Sequence, residues 1–197
     1  MPDLDQSDAD LLAGARAGDE RAFAALVARH EGAVAATAIG MLGYGDDADD
    51  VGQETFIRFH RAIDRFRGES SLKTYLVHIA MNLSLNALRK RKRSLLRFVS
   101  RDETTIDTPE LRAGPDEEVD VGEMQQVVRR AVRGLGEKHR AVVVLRMFQE
   151  CSTREAADIL GVPEGTVLSR LSRAIKELEA RLEPYVRRGV VLPETIR

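Results

Sequence analysis

Apolar positions along this chain recur at spacings of three and four residues, and hardly anywhere at two. From Asp10 to His30, Leu11, Leu12, Ala15, Phe23, Leu26 and Val27 supply one apolar side, which predicts a single amphipathic helix over that range. LGYGDD, residues 42–47, interrupts the next helix with two glycines. A further helix is expected from about Asp47 to Phe66, with Phe56, Phe59, Ile63 and Phe66 three and four apart. RFRGESS reads as a loop in which Ser70 or Ser71 can cap the helix that follows, and that helix runs to about Arg93. Leu72, Tyr75, Leu76, Ile79, Ala80 and Leu83 form its core stripe. The periodicity then dissolves: SRDETTIDTPELRAGPDEEVDVG holds two prolines, two glycines and many acids but no aromatic residue, and reads as a linker. Helices resume near Glu123 and continue to about Leu182. The predicted fold class is all-α, with two helical domains (1–97 and 123–197, the latter ending in a short tail) joined by an acidic flexible linker over 98–122.

Two stretches present polar side chains in a pattern of their own. In HIAMNLSLNALRKRKR, His78, Asn82, Asn86, Arg89 and Arg93 fall within an arc of roughly 80° on an α-helix. Asparagine is a poor helix former, so two on one stripe cost stability. A carboxamide can donate to and accept from a base edge, and arginine suits phosphates. A nucleic-acid face and a merely polar surface both fit this pattern. The second stretch is STREAADILGVPEGTVLSRLSRAIKELEARL: a helix, a turn at Gly161, and Pro163 at the start of another helix. There Val167, Leu171, Ala174, Ile175, Leu178 and Leu182 make a core stripe, with Ser169, Ser172, Arg173 and Lys176 opposite. This is a helix-turn-helix pattern whose second helix would enter a major groove, although plain packing hairpins share it.

Charge sharpens the picture because it is segregated. The net charge is −2, yet residues 1–56 carry 12 acids and 3 bases, 57–101 carry 2 acids and 12 bases, 102–123 carry 9 acids and 1 base, and 124–197 carry 9 acids and 14 bases. Such blocks imply different partners for different segments, one of them anionic. A single cysteine, Cys151, excludes an internal disulfide and reads as a small buried hydrophobe. No run of eighteen apolar residues predicts a membrane span, and the acidic start lacks the apolar core of a secretory signal, so a cytoplasmic protein is expected. Asp46, Asp47, Asp49 and Asp50 lack calcium-loop spacing and suit a helix N-terminus instead.

Taken in order, three segments resemble one family, the extracytoplasmic-function sigma factors of bacterial RNA polymerase. DADDVGQETF resembles its core-binding stretch, FRGESSLKTYLVHIAMN its promoter-melting segment, and LGEKHRAVVVLRMFQECSTREAADILGVPEGTVLSRLSRA its C-terminal helix-turn-helix. The resemblance covers roughly residues 8–95 and 123–182. It implies that the chain catalyses nothing, needs no cofactor or metal, and works with core RNA polymerase. Its N-terminal domain would bind the enzyme and open the −10 element; its C-terminal domain would read the −35 element as duplex. By position, Asp50, Gln53 and Glu54 would face the polymerase clamp. Arg67, Gly68, Glu69, Ser70 and Ser71, with Asn82 and Asn86, would form the pocket for an extruded −10 base, and Arg89, Arg91 and Arg93 would hold phosphates. Ser169, Arg170, Ser172, Arg173 and Lys176 would face the −35 duplex. Tyr75 stands where the family usually has tryptophan, Leu72 where it has phenylalanine, and Leu168 where many members are basic. An anti-sigma protein is a further partner that the resemblance implies.

Two other readings use the same residues. A free-standing helix-turn-helix repressor, usually a dimer on paired half-sites, would need a dimerisation helix that the sequence does not offer. A nucleic-acid enzyme would need a His/Cys/Asp cluster, and the four histidines are scattered at 30, 60, 78 and 139.

Overall fold

The computed structural model describes residues 6–99 and 121–187, and every regular element among them is helical. Most of the expected linker, and the tail beyond Arg187, lie outside the described residues. Helix α1 (Asp8–Arg16) opens on a reciprocal cap: Ser7 Oγ accepts from the Asp10 amide at 3.2 Å, and the Asp10 carboxylate accepts from the Ser7 amide at 3.3 Å. Helix α2 (Glu20–Leu42) starts on Asp19, whose carboxylate accepts from the Arg21 amide at 2.8 Å. The single helix predicted over Asp10–His30 is therefore two helices. The break falls at Gly18, whose φ of +89° no helix tolerates. Periodicity missed it because the apolar positions stay in phase across the turn. Asp8 then ties the two helices together, accepting from Arg29 at 2.8 Å and lying 3.0 Å from His30 Nε2.

The glycine turn predicted at 42–47 is present, with Gly43 and Gly45 both at positive φ. It leads into α3 (Asp46–Ala62), which closes in a 3₁₀ turn, Ile63–Arg65. Helix α4 runs Leu72–Val99, six residues past the expected end. Leu11, Leu26, Phe59, Leu72 and Leu76 bury the contacts among these four helices. Helix α2 is long and apolar enough to cross a membrane by length and composition. Exposed alanines at 24, 28, 35 and 36 contribute much of that apolarity, while Leu26, Val34 and Met41 are buried in the protein.

The C-terminal unit comprises α5 (Val121–Gly134), α6 (Glu137–Val143), a π-helical turn (Val144–Phe148), α7 (Thr153–Leu160) and α8 (Glu164–Val186). Val132, Leu135, Val143, Ala174, Leu178 and Leu182 form its core. A third cluster belongs to both units: Met41, Val77 and Met81 pack with Val142, Val144, Leu145 and Ala156. The two units thus rest directly against one another. The π turn carries Val144 and Leu145 into that joint.

Candidate nucleic-acid interface

The loop before α4 is built by neighbours on both sides. Arg16 of α1 donates to the carbonyls of Ile63 (3.1 Å) and Phe66, which fixes where the loop begins. Gly68 holds φ at +73°, and a Cβ there would meet nothing within 4 Å. A side chain at 68 would therefore cost only the left-handed backbone, about 1–2 kcal/mol. Ser71 Oγ accepts from the Thr74 amide at 3.1 Å and is the cap of α4.

Arg65, Phe66, Arg67, Glu69, Ser70 and Tyr75 line a cleft of about 190 Å³. Tyr75, read from the sequence as core stripe, is half-buried and forms an aromatic wall with Phe66 (centroids 4.9 Å apart) and Phe59 (6.2 Å). Its periodicity gave no sign of this second role; the aromatic departure from the family pattern was the available signal.

Asn82, Asn86, Arg89, Arg91 and Arg93 are all exposed on α4. The Asn86 side-chain Oδ1 accepts from Arg89 at 3.2 Å. At 1.5 Å of rise per residue, Asn82 lies roughly 16 Å along the helix from Ser71 and Asn86 roughly 22 Å. Neither asparagine lines the cleft. The loop and the asparagines are therefore two stations along one helix. His78, from the same predicted stripe, is half-buried instead; burial pushes its imidazole pKa down, opposed by the carboxylate of Asp158 on α7.

The helix-turn-helix is capped at each junction. Ser152 and Glu155 form a capping box at α7, with Ser152 Oγ accepting from the Glu155 amide at 3.1 Å. Gly161 closes α7 in the left-handed conformation (φ 62°, ψ 40°), and Pro163 is the cap of α8, one residue before its first turn. Val167, Ala174, Leu178 and Leu182 are buried, which leaves Ser169, Ser172, Arg173 and Lys176 exposed and Arg170 half-buried. Leu168 is 53% exposed among them. Cys151, just before α7, is buried; burial first, and Glu155 second, push its thiol pKa up, away from reactivity.

On α3 Ala48, Val51 and Phe59 face the core with buried Thr55, whose hydroxyl donates to the Val51 carbonyl at 2.7 Å. Asp46, Asp47 and Asp49 occupy the first turn, where the helix dipole favours them. Beyond that turn Asp50 and Gln53 are exposed, and half-exposed Glu54 accepts from Arg58 at 2.7 Å. Ile57, 44% exposed and one turn on, adds an apolar side chain that the motif reading passed over.

The Sigma-70 region 2 family profile matches residues 26–94, and that of Sigma-70 region 4 matches residues 125–178. The ECF RNA polymerase sigma-E factor of Salmonella typhimurium is 34% identical over 190 residues, spanning 92% of this chain and 97% of that one. The RNA polymerase sigma-H factor of Pseudomonas aeruginosa is 30% identical with the same coverage. Among solved structures, CnrH in complex with the cytosolic domain of CnrY superposes with a TM-score of 0.64 at 29% identity, over 91% of this chain and 99% of that one. The sigma factor RpoE of Bartonella quintana, in complex with the anti-sigma factor NepR, gives 0.65 at 27% identity, over 82% and 96%.

Proposed function

Because the chain belongs to the extracytoplasmic-function sigma factors of RNA polymerase, we propose that its three exposed polar surfaces divide promoter recognition among them. It is an initiation factor that binds core polymerase and directs it to promoters. Residues 1–97 hold the polymerase and the −10 element, and 123–197 hold the −35 element. The observation that carries this division is that two basic or amide-bearing faces, on α4 and α8, and one acidic face, on α3, all stay exposed on one chain. Asp50, Gln53 and Glu54, with Ile57 beside them, meet the clamp. The Arg67–Ser71 loop and its aromatic cleft hold one extruded base of the −10 strand, and Asn82 meets another position further along it. Trapping flipped bases offsets unstacking, which costs a few kcal/mol. Arg89, Arg91 and Arg93 neutralise the adjoining phosphates.

On this reading the chain performs no reaction of its own and works in the cytoplasm, where the polymerase is. A protein of the anti-sigma class is a further partner, as for the Bartonella relative. A free-standing repressor is not favoured, since both sigma regions are present in order. In vitro transcription with and without core enzyme is the test: transcription must need both, and tight sequence-specific binding of the chain alone to a duplex promoter would restore the repressor.

Two substitutions separate the DNA-facing elements. Asn82→Ala should leave polymerase binding intact but weaken promoter opening by ~1–3 kcal/mol, roughly 5- to 150-fold. A premelted template should not rescue it fully, because the base contact itself is lost; parental activity at a limiting promoter reduces the stripe to polar surface. Arg173→Ala should fold normally, since the side chain is exposed, and should weaken promoters that depend on their −35 element more than those opened through the −10 element. Arg91→Ala should instead weaken all −10 sequences alike, with a shallower salt dependence. Equal effects of Arg173→Ala on promoters with and without a −35 element would reassign α8 to a protein partner.

A further inference from the structure

Among the described residues three large hydrophobic side chains are exposed: Tyr44, Ile57 and Leu168. The guanidinium of Arg129 lies over the Tyr44 ring, 5.1 Å from its centroid, and Ile57 stands one turn beyond the acidic residues of α3. Leu168, in the second turn of α8, has no such place. A lone exposed leucine calls for no explanation, but the neighbours of this one give it a chemistry.

Leu168, Leu171 and Ile175 floor an open groove of about 350 Å³, and every residue lining it comes from α8 itself. Ser172 and Lys176 edge the groove on the polar side of the helix. At 100° per residue Leu168 lies about 40° from Ser172 and about 80° from Lys176. It therefore borders the face opposite buried Val167, Ala174 and Leu178. Within about 8 Å of helix rise it has Ser169, Arg170, Ser172 and Arg173 for company, against a single acid, Glu164 of the first turn. The other acid of the groove, Glu179, is roughly 16 Å further along. Ser169 Oγ donates to the Thr166 carbonyl at 3.1 Å, so its proton is turned toward its own helix. Polar readout at this end is thin, and an apolar side chain stands in the middle of it.

The surroundings decide between two kinds of occupant. The centre of a protein interface is depleted of charge, whereas here basic side chains stand beside the leucine. Basic residues around an exposed side chain near the start of a second helix suit a major groove. On the edges of the bases there, the one apolar group is the C5-methyl of thymine. We propose that Leu168 is a specificity-determining residue of the −35 contact: it packs on the methyl of one thymine and so selects an A·T pair at that position. This rests on the reading of α8 as the −35 helix, given above.

The test removes the methyl alone. Holoenzyme selects duplex promoters from a pool randomised across the −35 region, with the spacer and the −10 element fixed. Each thymine of the selected element, on either strand, is then replaced singly by deoxyuridine, which lacks the methyl and keeps the O4 acceptor. At one position the parent should lose about fourfold in promoter affinity, the effect of one buried methyl. The Leu168→Ala chain should fold, because the position is exposed and alanine favours helix, and should bind the thymine and deoxyuridine promoters alike. Leu168→Met, which keeps an apolar tip, should retain most of the difference. Leu168→Arg should select G·C at the same pair, since arginine bonds guanine O6 and N7. Tolerance of deoxyuridine at every position overturns the proposal, as does a loss that persists undiminished in Leu168→Ala. If Leu168→Ala instead weakens core-enzyme binding while the deoxyuridine effect stays, the groove serves a protein and the proposal falls. A selection that returns no −35 preference at all brings down the reading of α8, and the proposal with it.

Discussion

A chain carrying Asp50→Lys and Glu54→Lys together should lose at least about 100-fold in affinity for core polymerase, a change of ~3 kcal/mol. The residues lie on the exposed side of α3, one turn apart, and neither supports the core. Reversing both turns basic the acidic face proposed to meet the polymerase, and like-charge juxtaposition at an interface costs several kcal/mol. Folding should survive, because Glu54 surrenders only a surface pair with Arg58. Glu31→Lys, an equal change of sign at an exposed site on α2, is the control for charge as such. Competition against a labelled parent chain for core enzyme measures the effect. If the double reversal competes as well as the parent, α3 does not face the polymerase.

The largest effect on stability is expected at Phe59. Its side chain is fully buried, with centroid distances of 6.0 Å to Phe23 and 6.2 Å to Tyr75. Phe59→Ala should cost about 3–5 kcal/mol, which for a chain of this size lowers Tm by about 6–20 °C. The consequence extends to function. Tyr75 leans on Phe59 and lines the cleft proposed above to hold a −10 base, so promoter opening should fall even at temperatures where the variant remains folded. Phe59→Leu should recover most of the stability and less of the opening, because a leucine fills volume but gives Tyr75 no ring edge. If the alanine variant opens promoters normally when folded, the aromatic wall has no part in holding a base.

Much of this molecule was legible in the order of its residues, and the exceptions share a cause. The capping Ser71, the turn at Gly161 and the Val167, Ala174, Leu178 and Leu182 face of α8 follow from local rules, and the structure has them; on α3 only Phe59 of the predicted aromatic stripe is buried, the rest of its buried face being Ala48, Val51 and Thr55. Gly18 was passed over because the apolar period runs on through a break that only one backbone angle reveals. Val77 and Met81 lie off the stripe predicted for α4, yet both are fully buried. They answer to Val144 and Leu145, distant in sequence, and no period within one helix reports a second partner. The site divides the same way. Exposed Asn82 and Arg173 were visible as residues left over from a core stripe. The role of Tyr75 was hidden because one side chain serves the core and the cleft together, and the separation between loop and asparagines appeared only when the helix was given its length.

The shared cluster of Met41, Val77 and Met81 has a consequence while the protein is being made. The N-terminal unit is complete once α4 has emerged, but the groups that cover those three side chains belong to helices still to be synthesised. About 90 residues separate the end of α4 from the end of α8, which at ~5–20 residues per second is an interval of roughly 4–18 s. Throughout it an apolar face waits bare beside the ribosome, open to chaperones and to the matching face of a neighbouring nascent chain. A truncated product that stops before α6 would never lose that exposure, so fragments of this chain should be cleared or should aggregate sooner than their own four-helix core would suggest.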